Sequence, residues 1–122
     1  MGMTMRYLCL LHVAESDMPA PGTPEAEEMF HAYFAVTEAM AQAGVLVDSA
    51  PLRPGASATT VRVRGGETLL TDGPYAELKE QLGGYTLLEC ADLDEALRWA
   101  AKIPAAARGA VEVRPVISVG GA

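Results

Sequence analysis

The run Tyr85-Thr86-Leu87-Leu88-Glu89-Cys90, followed closely by Asp92-Leu93-Asp94-Glu95, decides how the chain folds. An apolar run of that length, bounded by charged residues, suits a strand better than a helix. Asp92 then offers a side-chain oxygen to the unpaired amides of a helix start, and Glu95 stands three residues on, as in a capping box. Leu93, Ala96, Leu97, Ala100 and Ile103 recur at helical spacing, which predicts a helix from Leu93 to Pro104. Val111 to Ile117 alternates beyond it as a closing strand. Strand, helix and strand in that order make one β-α-β unit.

Working outward, the same order recurs in the first half. Met5 to His12 reads as a strand, and the breaker-rich segment from Asp17 leads to Thr23 and Pro24, a capping hydroxyl followed by proline at the first helical position. Ala26, Met29, Phe30, Tyr33, Val36, Met40 and Ala41 give that helix an apolar face until Gly44 stops it. Val45 to Leu52 is a second strand, closed by Pro51, Pro54 and Gly55. Thr59 to Arg64 and Glu67 to Thr71 then flank Gly65-Gly66, which is the pattern of a β-hairpin with a two-residue turn. No internal repeat is visible by identity.

These elements predict a single α+β domain over residues 1–122: a ferredoxin-like sandwich of two β-α-β halves with a β-hairpin insertion, an antiparallel sheet, and both helices on one sheet face. The other face then carries one parity of each strand: Arg6, Leu8, Leu10 and His12; Tyr85, Leu87 and Glu89; Glu112, Arg114 and Val116. A single bulge would invert that parity. Leaving such a face in water exposes more apolar surface than a monomer tolerates, which predicts a homodimer joined sheet to sheet around a cleft.

Composition excludes several roles. Half the residues are hydrophobic and a fifth are charged, which argues against disorder. Nine Lys and Arg against sixteen Asp and Glu leave a formal charge of −7 with the basic residues scattered, so neither nucleic acid nor an anionic membrane surface is an expected partner. No apolar run approaches the roughly 20 residues of a membrane helix, and the stretch from Met1 to Met5 is too short and polar for a signal peptide, so the expected location is cytoplasmic. Cys9 and Cys90 lie in separate strands, far from any thiol or histidine pair, and read as buried reduced thiols rather than a disulfide, a metal cage or a redox motif. No metal and no cofactor is expected, since the two histidines are far apart and neither glycine pair belongs to a phosphate-binding fingerprint.

The segment from Thr71 to Tyr85 crowds acid, base and turn-forming residues between two strands. Asp72, ahead of Gly73-Pro74, is either a base or the cap of its own turn. Glu77, Lys79 and Glu80 form either a coupled acid–base set or surface ion pairs. Tyr75, Tyr85 and Trp99 either stack on a ligand or pack in the core, with Trp99 assigned to the core. Gly83-Gly84 either admits a ligand or begins a strand with a bulge. His12, closing the first strand, is a candidate proton carrier that Glu89 would orient; His31 is a solvent-side helix residue. The candidate catalytic groups are therefore Asp72, Glu77, Lys79 and His12, and the candidate substrate-binding groups are Tyr75, Glu80, Tyr85, Glu89 and Arg114.

Asp72-Gly73-Pro74-Tyr75, Glu77, Lys79-Glu80 and Gly83-Gly84-Tyr85, taken with Met5 to Leu8, Ala43 to Leu46, Ala58 to Val63 and Val111 to Val116, resemble the YCII-related family in its DGPF-type branch. The resemblance covers nearly the whole chain. It implies a dimeric α/β barrel of ferredoxin-like subunits, a pocket in each protomer and an activity that is mostly unassigned. Some relatives look like dehalogenating or lactone-processing enzymes that use histidine and aspartate as acid and base. Their histidine lies in the first helix and belongs to the other branch, so that role does not pass to His31. Genes of the DGPF branch often neighbour alternative sigma factors. Two readings follow: a cofactor-independent small-molecule enzyme doing proton transfer, elimination or isomerisation, or a non-catalytic ligand-binding or regulatory module linked to a sigma factor. A cofactor-free monooxygenase rests on fold analogy alone.

Overall fold

A computed structural model of the chain describes residues 2–118. In the first strand, β1 (Met5–Ala14), side chains alternate between two environments: Tyr7, Cys9, Leu11 and Val13 are buried, while Leu8, Leu10 and His12 are only partly covered. That alternation is the period-two geometry of a strand with one face packed and one open. A 3-10 turn at Glu15–Asp17 ends it. Helix α1 (Pro24–Gln42) starts where the sequence predicts, with Thr23 Oγ1 accepting the Ala26 amide at 3.2 Å, and Gly44 follows it at φ +77°.

The main sheet contains β2 (Leu46–Pro51), β5 (Glu80–Cys90), β1 and β6 (Ala110–Pro115) in the spatial order β2-β5-β1-β6, with every neighbouring pair antiparallel. The hairpin of β3 (Thr59–Arg64) and β4 (Glu67–Asp72) forms a separate two-stranded sheet, turning at Gly65 and Gly66 with φ of +57° and +81°. Positive φ at both turn positions is what a two-residue hairpin of this hand requires, and glycine supplies it without strain. The main sheet stays open within one chain.

Helix α2 (Leu93–Ala100) begins at Asp92, whose Oδ1 accepts the Glu95 amide at 2.9 Å while Glu95 Oε1 accepts the Ala91 amide at 2.7 Å. It ends at Ala100, short of the expected Pro104. Ahead of that proline the chain tightens, with the Lys102 amide donating to Trp99 and the Ile103 amide to Ala100, and a short α3 (Ala105–Arg108) follows.

One apolar cluster joins Tyr7, Cys9, Leu11 and Val13 to Leu88 and Cys90 of β5, Val36 and Met40 of α1, Ala96 and Ala100 of α2, and Ala105 of α3. All three helices therefore cover the same sheet face. Thr86, the buried polar residue in this layer, shares a hydrogen bond with the Ser49 hydroxyl at 3.3 Å. Cys9 and Cys90 are buried free thiols, each pushed up to about 11, chiefly by burial. Trp99 packs against the cluster with the Lys102 ammonium 4.7 Å from its ring centre. Phe30 departs from expectation: it is 65% exposed, because the covered stripe of α1 runs through the partly buried Ala26, Met29 and Tyr33 to the buried Val36 and Met40 and leaves Phe30 beside it.

Strand β5 begins five residues before the expected Tyr85. Opposite β1 it carries a bulge, since Leu11 pairs with Gly84 and His12 with Leu82, leaving Gly83 as the extra residue. The bulge lies outside the run from Tyr85 to Glu89, so the expected parity of the open face stands.

Gly109 joins α3 to β6 against the His12 backbone. A Cβ there would collide with the His12 carbonyl oxygen and lie 3.1 Å from Val13 Cα. Gly109→Ala should therefore destabilise the fold by about 2–3 kcal/mol, the cost of forcing atoms into a filled site. Urea unfolding would measure it, and an unchanged midpoint would contradict the packing described here.

Candidate functional site

Direct partners across the sheet share a face, and this places the open face residue by residue. Arg6 faces Glu89, Leu8 lies between Leu87 and Arg114, Leu10 lies between Tyr85 and Glu112, and His12 lies between Leu82 and Ala110. The centre is apolar: Leu8, Leu10 and Leu87 are partly covered, and Leu82 is 41% exposed. Polar groups ring it. At one end Arg6 Nε donates to Glu89 Oε1 at 3.2 Å and the Thr4 hydroxyl to Glu89 Oε2 at 2.9 Å. Along the β2 side, the Tyr85 hydroxyl donates to Asp48 Oδ2 at 2.8 Å.

At the other end His12 Nε2 lies 3.3 Å from Glu112 Oε1, and Arg114 Nε donates to Glu112 Oε2 at 2.6 Å. His12 and Glu112 are diagonal neighbours across β1 and β6, within reach of their side chains. Arg114, and next His12, hold the Glu112 carboxyl below the usual range for glutamate. An ionised carboxylate only accepts, so in this contact Nε2 of His12 is the donor. Glu89 is likewise lowered, by Thr4 and then Arg6, whereas the Tyr85 phenol is raised by its bond to Asp48.

Glu89 does not orient His12. It pairs with Arg6, six residues away along β1, a separation of about 20 Å along an extended strand. Glu112 takes that position instead, from a strand distant in sequence. Its signal was present in the alternation of Val111 to Arg114, which put Glu112 on the open face, but the choice between Glu89 and Glu112 needed the register.

The acidic turn builds a second locus. The Gly73 amide donates to Ala58 at 2.7 Å and Thr60 Oγ1 to the Gly73 carbonyl at 2.9 Å, fixing the turn at the base of the hairpin. Glu77 and Lys79 line a cleft of about 360 Å³ with Glu15, Ser16, Gly55 and Pro74. Its wall is tied by Glu15 Oε1, which accepts the Gly55 amide at 2.8 Å, and by Gln81 Nε2, which donates to the Leu78 carbonyl at 2.6 Å. Sequence reasoning passed over Glu15 and Gln81, which act through a fold of the chain that brings three loops together.

The structure thus divides the candidate set. Glu77 and Lys79 share the cleft, and His12, Tyr85, Glu89 and Arg114 share the open sheet face. Asp72 and Tyr75 are exposed and line neither, and Glu80, also exposed, pairs with Ala14 two residues beyond the His12–Leu82 pair, at the edge of the open face. Among the described residues, the Asp72 carboxylate forms no hydrogen bond or ion pair, so it does not cap its turn, and Tyr75 lies beneath the Arg62 guanidinium at 5.6 Å. No group of three or more His, Cys, Asp or Glu among the described residues is placed to hold a metal ion, and no described helix is long and apolar enough to cross a membrane.

The chain is 41% identical over 114 residues to an uncharacterised protein of Rhizobium meliloti (strain 1021), a match covering 92% of each. The model of the YCII-related domain matches residues 5–119, which takes in all six strands and all three helices. On that match the chain belongs to the YCII-related domain family.

Proposed function

We propose that this protein is a cofactor-independent enzyme that moves a proton on a small organic molecule, working in a hollow between two copies joined through their open sheet faces. The observation that carries the reading is the His12–Glu112–Arg114 chain, with contacts of 3.3 Å and 2.6 Å, set beside half-covered leucines. Strand order β2-β5-β1-β6, with helices on one side only, supports reading each subunit as ferredoxin-like and the pair as a dimeric α/β barrel. Burying Leu8, Leu10 and Leu87 against a second copy supplies the water-poor setting in which a histidine and carboxylate exchange protons efficiently.

In this mechanism Nδ1 of His12 accepts a proton from a carbon next to an activating group. Glu112 stabilises the imidazolium that forms, and Arg114 keeps Glu112 ionised throughout. Return of the proton to a neighbouring atom gives isomerisation, whereas departure of a leaving group gives elimination. Tyr85 and Glu89 border the hollow and contact the substrate. A second reading, a non-catalytic ligand-binding or regulatory module linked to an alternative sigma factor, draws on the cleft at Glu77 and Lys79, which does not include His12.

Proton–deuterium exchange in D₂O, followed by NMR across a panel of small carbon acids, separates the two readings. The enzyme reading predicts catalysed exchange that falls by about 100-fold or more in His12→Ala, while Lys79→Ala retains it. Exchange at the wild-type rate in His12→Ala, or none with the wild type, would remove the catalytic role.

The rim carboxylates also set a pH dependence. Glu89 and Glu112 both have lowered values in the folded chain, so the stability they contribute is complete above the ordinary glutamate value of about 4.3 and is lost as pH falls through their lowered folded values. Urea midpoints of the wild type should therefore hold steady above about pH 5 and fall as the pH drops below about 4.3, more steeply than those of a Glu89→Gln/Glu112→Gln variant. Parallel curves for the two proteins would contradict the assignment.

A further inference from the structure

The acidic turn, which the proton-transfer reading leaves unused, contributes to a site of its own. Pro74, Glu77 and Lys79 line a cleft of about 360 Å³ together with Glu15, Gly55 and Gln81, a size within the range of about 300–1,000 Å³ usual for small-molecule pockets. Gln81 Nε2 donates to the carbonyls of Leu78 at 2.6 Å and Ala76 at 3.5 Å. Only the amide NH₂ can face two carbonyls, so Oε1 of Gln81 is turned the other way, toward Gly55. A side chain begun at Gly55 would place its first carbon 3.4 Å from that oxygen, 3.4 Å from Glu15 Oε1 and 3.5 Å from Pro74 Cγ. Two acceptors therefore converge on one spot, and among the described residues Gln81 Oε1 receives no donor. Gly55 is not in the left-handed region and those contacts are ordinary ones, so neither backbone nor packing demands glycine there. Its missing side chain leaves the spot open.

Charge of both signs lines the same cleft. Glu77 and Lys79 form no ion pair with each other or with any other described residue, so both can meet a ligand. A simple cation would meet the Lys79 ammonium and a simple anion the carboxylates of Glu15 and Glu77, whereas a zwitterion suits both. We propose that the cleft binds a free α-amino acid, its ammonium held over Gly55 by Glu15 Oε1 and Gln81 Oε1 and its carboxylate met by Lys79. The two ends cannot exchange places, because an ammonium only donates and a carboxylate only accepts. Glu77 is then left for the amino acid's side chain and favours one that carries donors. The inference rests on the ligand-binding reading of this cleft and gives that reading a ligand class; it is independent of His12, which the cleft does not include. Because the charged walls are exposed to water, binding is weak, with a Kd of about 1 mM.

NMR titration of the nitrogen-15-labelled full chain tests this with three probes: L-glutamine, butylamine and butyrate. L-Glutamine should shift the backbone amides of Gly55 and Gly73 and the side-chain amide of Gln81 saturably, about tenfold more tightly than either probe that carries a single charge. Gly55→Ala puts a methyl where the ammonium would sit, at ordinary contact distances, so it should weaken L-glutamine about tenfold while the rest of the spectrum stays that of the folded chain. Lys79→Gln should bring L-glutamine down to the level of butylamine. No saturable shift with any probe would end the ligand-binding reading and this proposal together. Butylamine or butyrate binding as tightly as L-glutamine at these amides, or undiminished L-glutamine binding in Gly55→Ala, would leave the cleft a ligand site and overturn the amino-acid assignment.

Discussion

Packing of every helix on one side of a four-stranded sheet is the constraint on which the rest depends. Because strand side chains alternate, burying Tyr7, Cys9, Leu11 and Val13 under α1, α2 and α3 obliges Arg6, Leu8, Leu10 and His12 to face the other way. The same geometry sets Tyr85, Leu87 and Glu89 of β5 and Glu112 and Arg114 of β6 on that open side. A half-apolar surface ringed by ion pairs is thus a consequence of how the core is made. The charged pairs at His12, Glu112, Arg6 and Glu89 stand outside the buried layer, where Thr86 shares its hydrogen bond with Ser49.

Local signals in the sequence were legible where a short stretch determines its own conformation. Thr23-Pro24 and Asp92 cap their helices through side-chain bonds to amides three residues away, and Gly65-Gly66 turns the hairpin through φ values that few other residues adopt. Alternation gave the open face correctly because Leu8, Leu10, Leu87 and Glu112 follow a simple period. What failed depended on partners distant in the chain. The early start of β5 comes from Gln81 and Glu80 pairing with Val13 and Ala14, and nothing in the segment from Glu80 to Leu82 reveals that pairing. Phe30 satisfied a helical spacing of three and four, yet α1 turns Met29 rather than Phe30 toward the sheet and leaves Phe30 65% exposed.

Site assignment shows the same boundary more sharply. The crowded segment from Asp72 to Glu80 drew the candidate residues together in sequence, but strand β5 carries the chain away from the turn, and His12 sits on a different surface from Glu77 and Lys79. Register, which single-sequence patterns do not fix, exchanged Glu89 for Glu112 as the partner of His12 and gave Glu89 to Arg6. Asp48 as the partner of Tyr85 and Glu15 as the tie for Gly55 have the same origin: each bridges segments more than thirty residues apart.

The central claim is that the open face is covered by a second copy in solution, and leucine methyl NMR with a soluble paramagnetic agent reads that directly. The account predicts that the methyls of Leu8, Leu10 and Leu87 are shielded nearly as well as those of Leu88, which is fully buried in the core, while Leu93, 44% exposed on α2, is strongly relaxed. Methyls of Leu8, Leu10 and Leu87 relaxed as strongly as those of Leu93 would mean that water reaches this face, and the enclosed site would not exist.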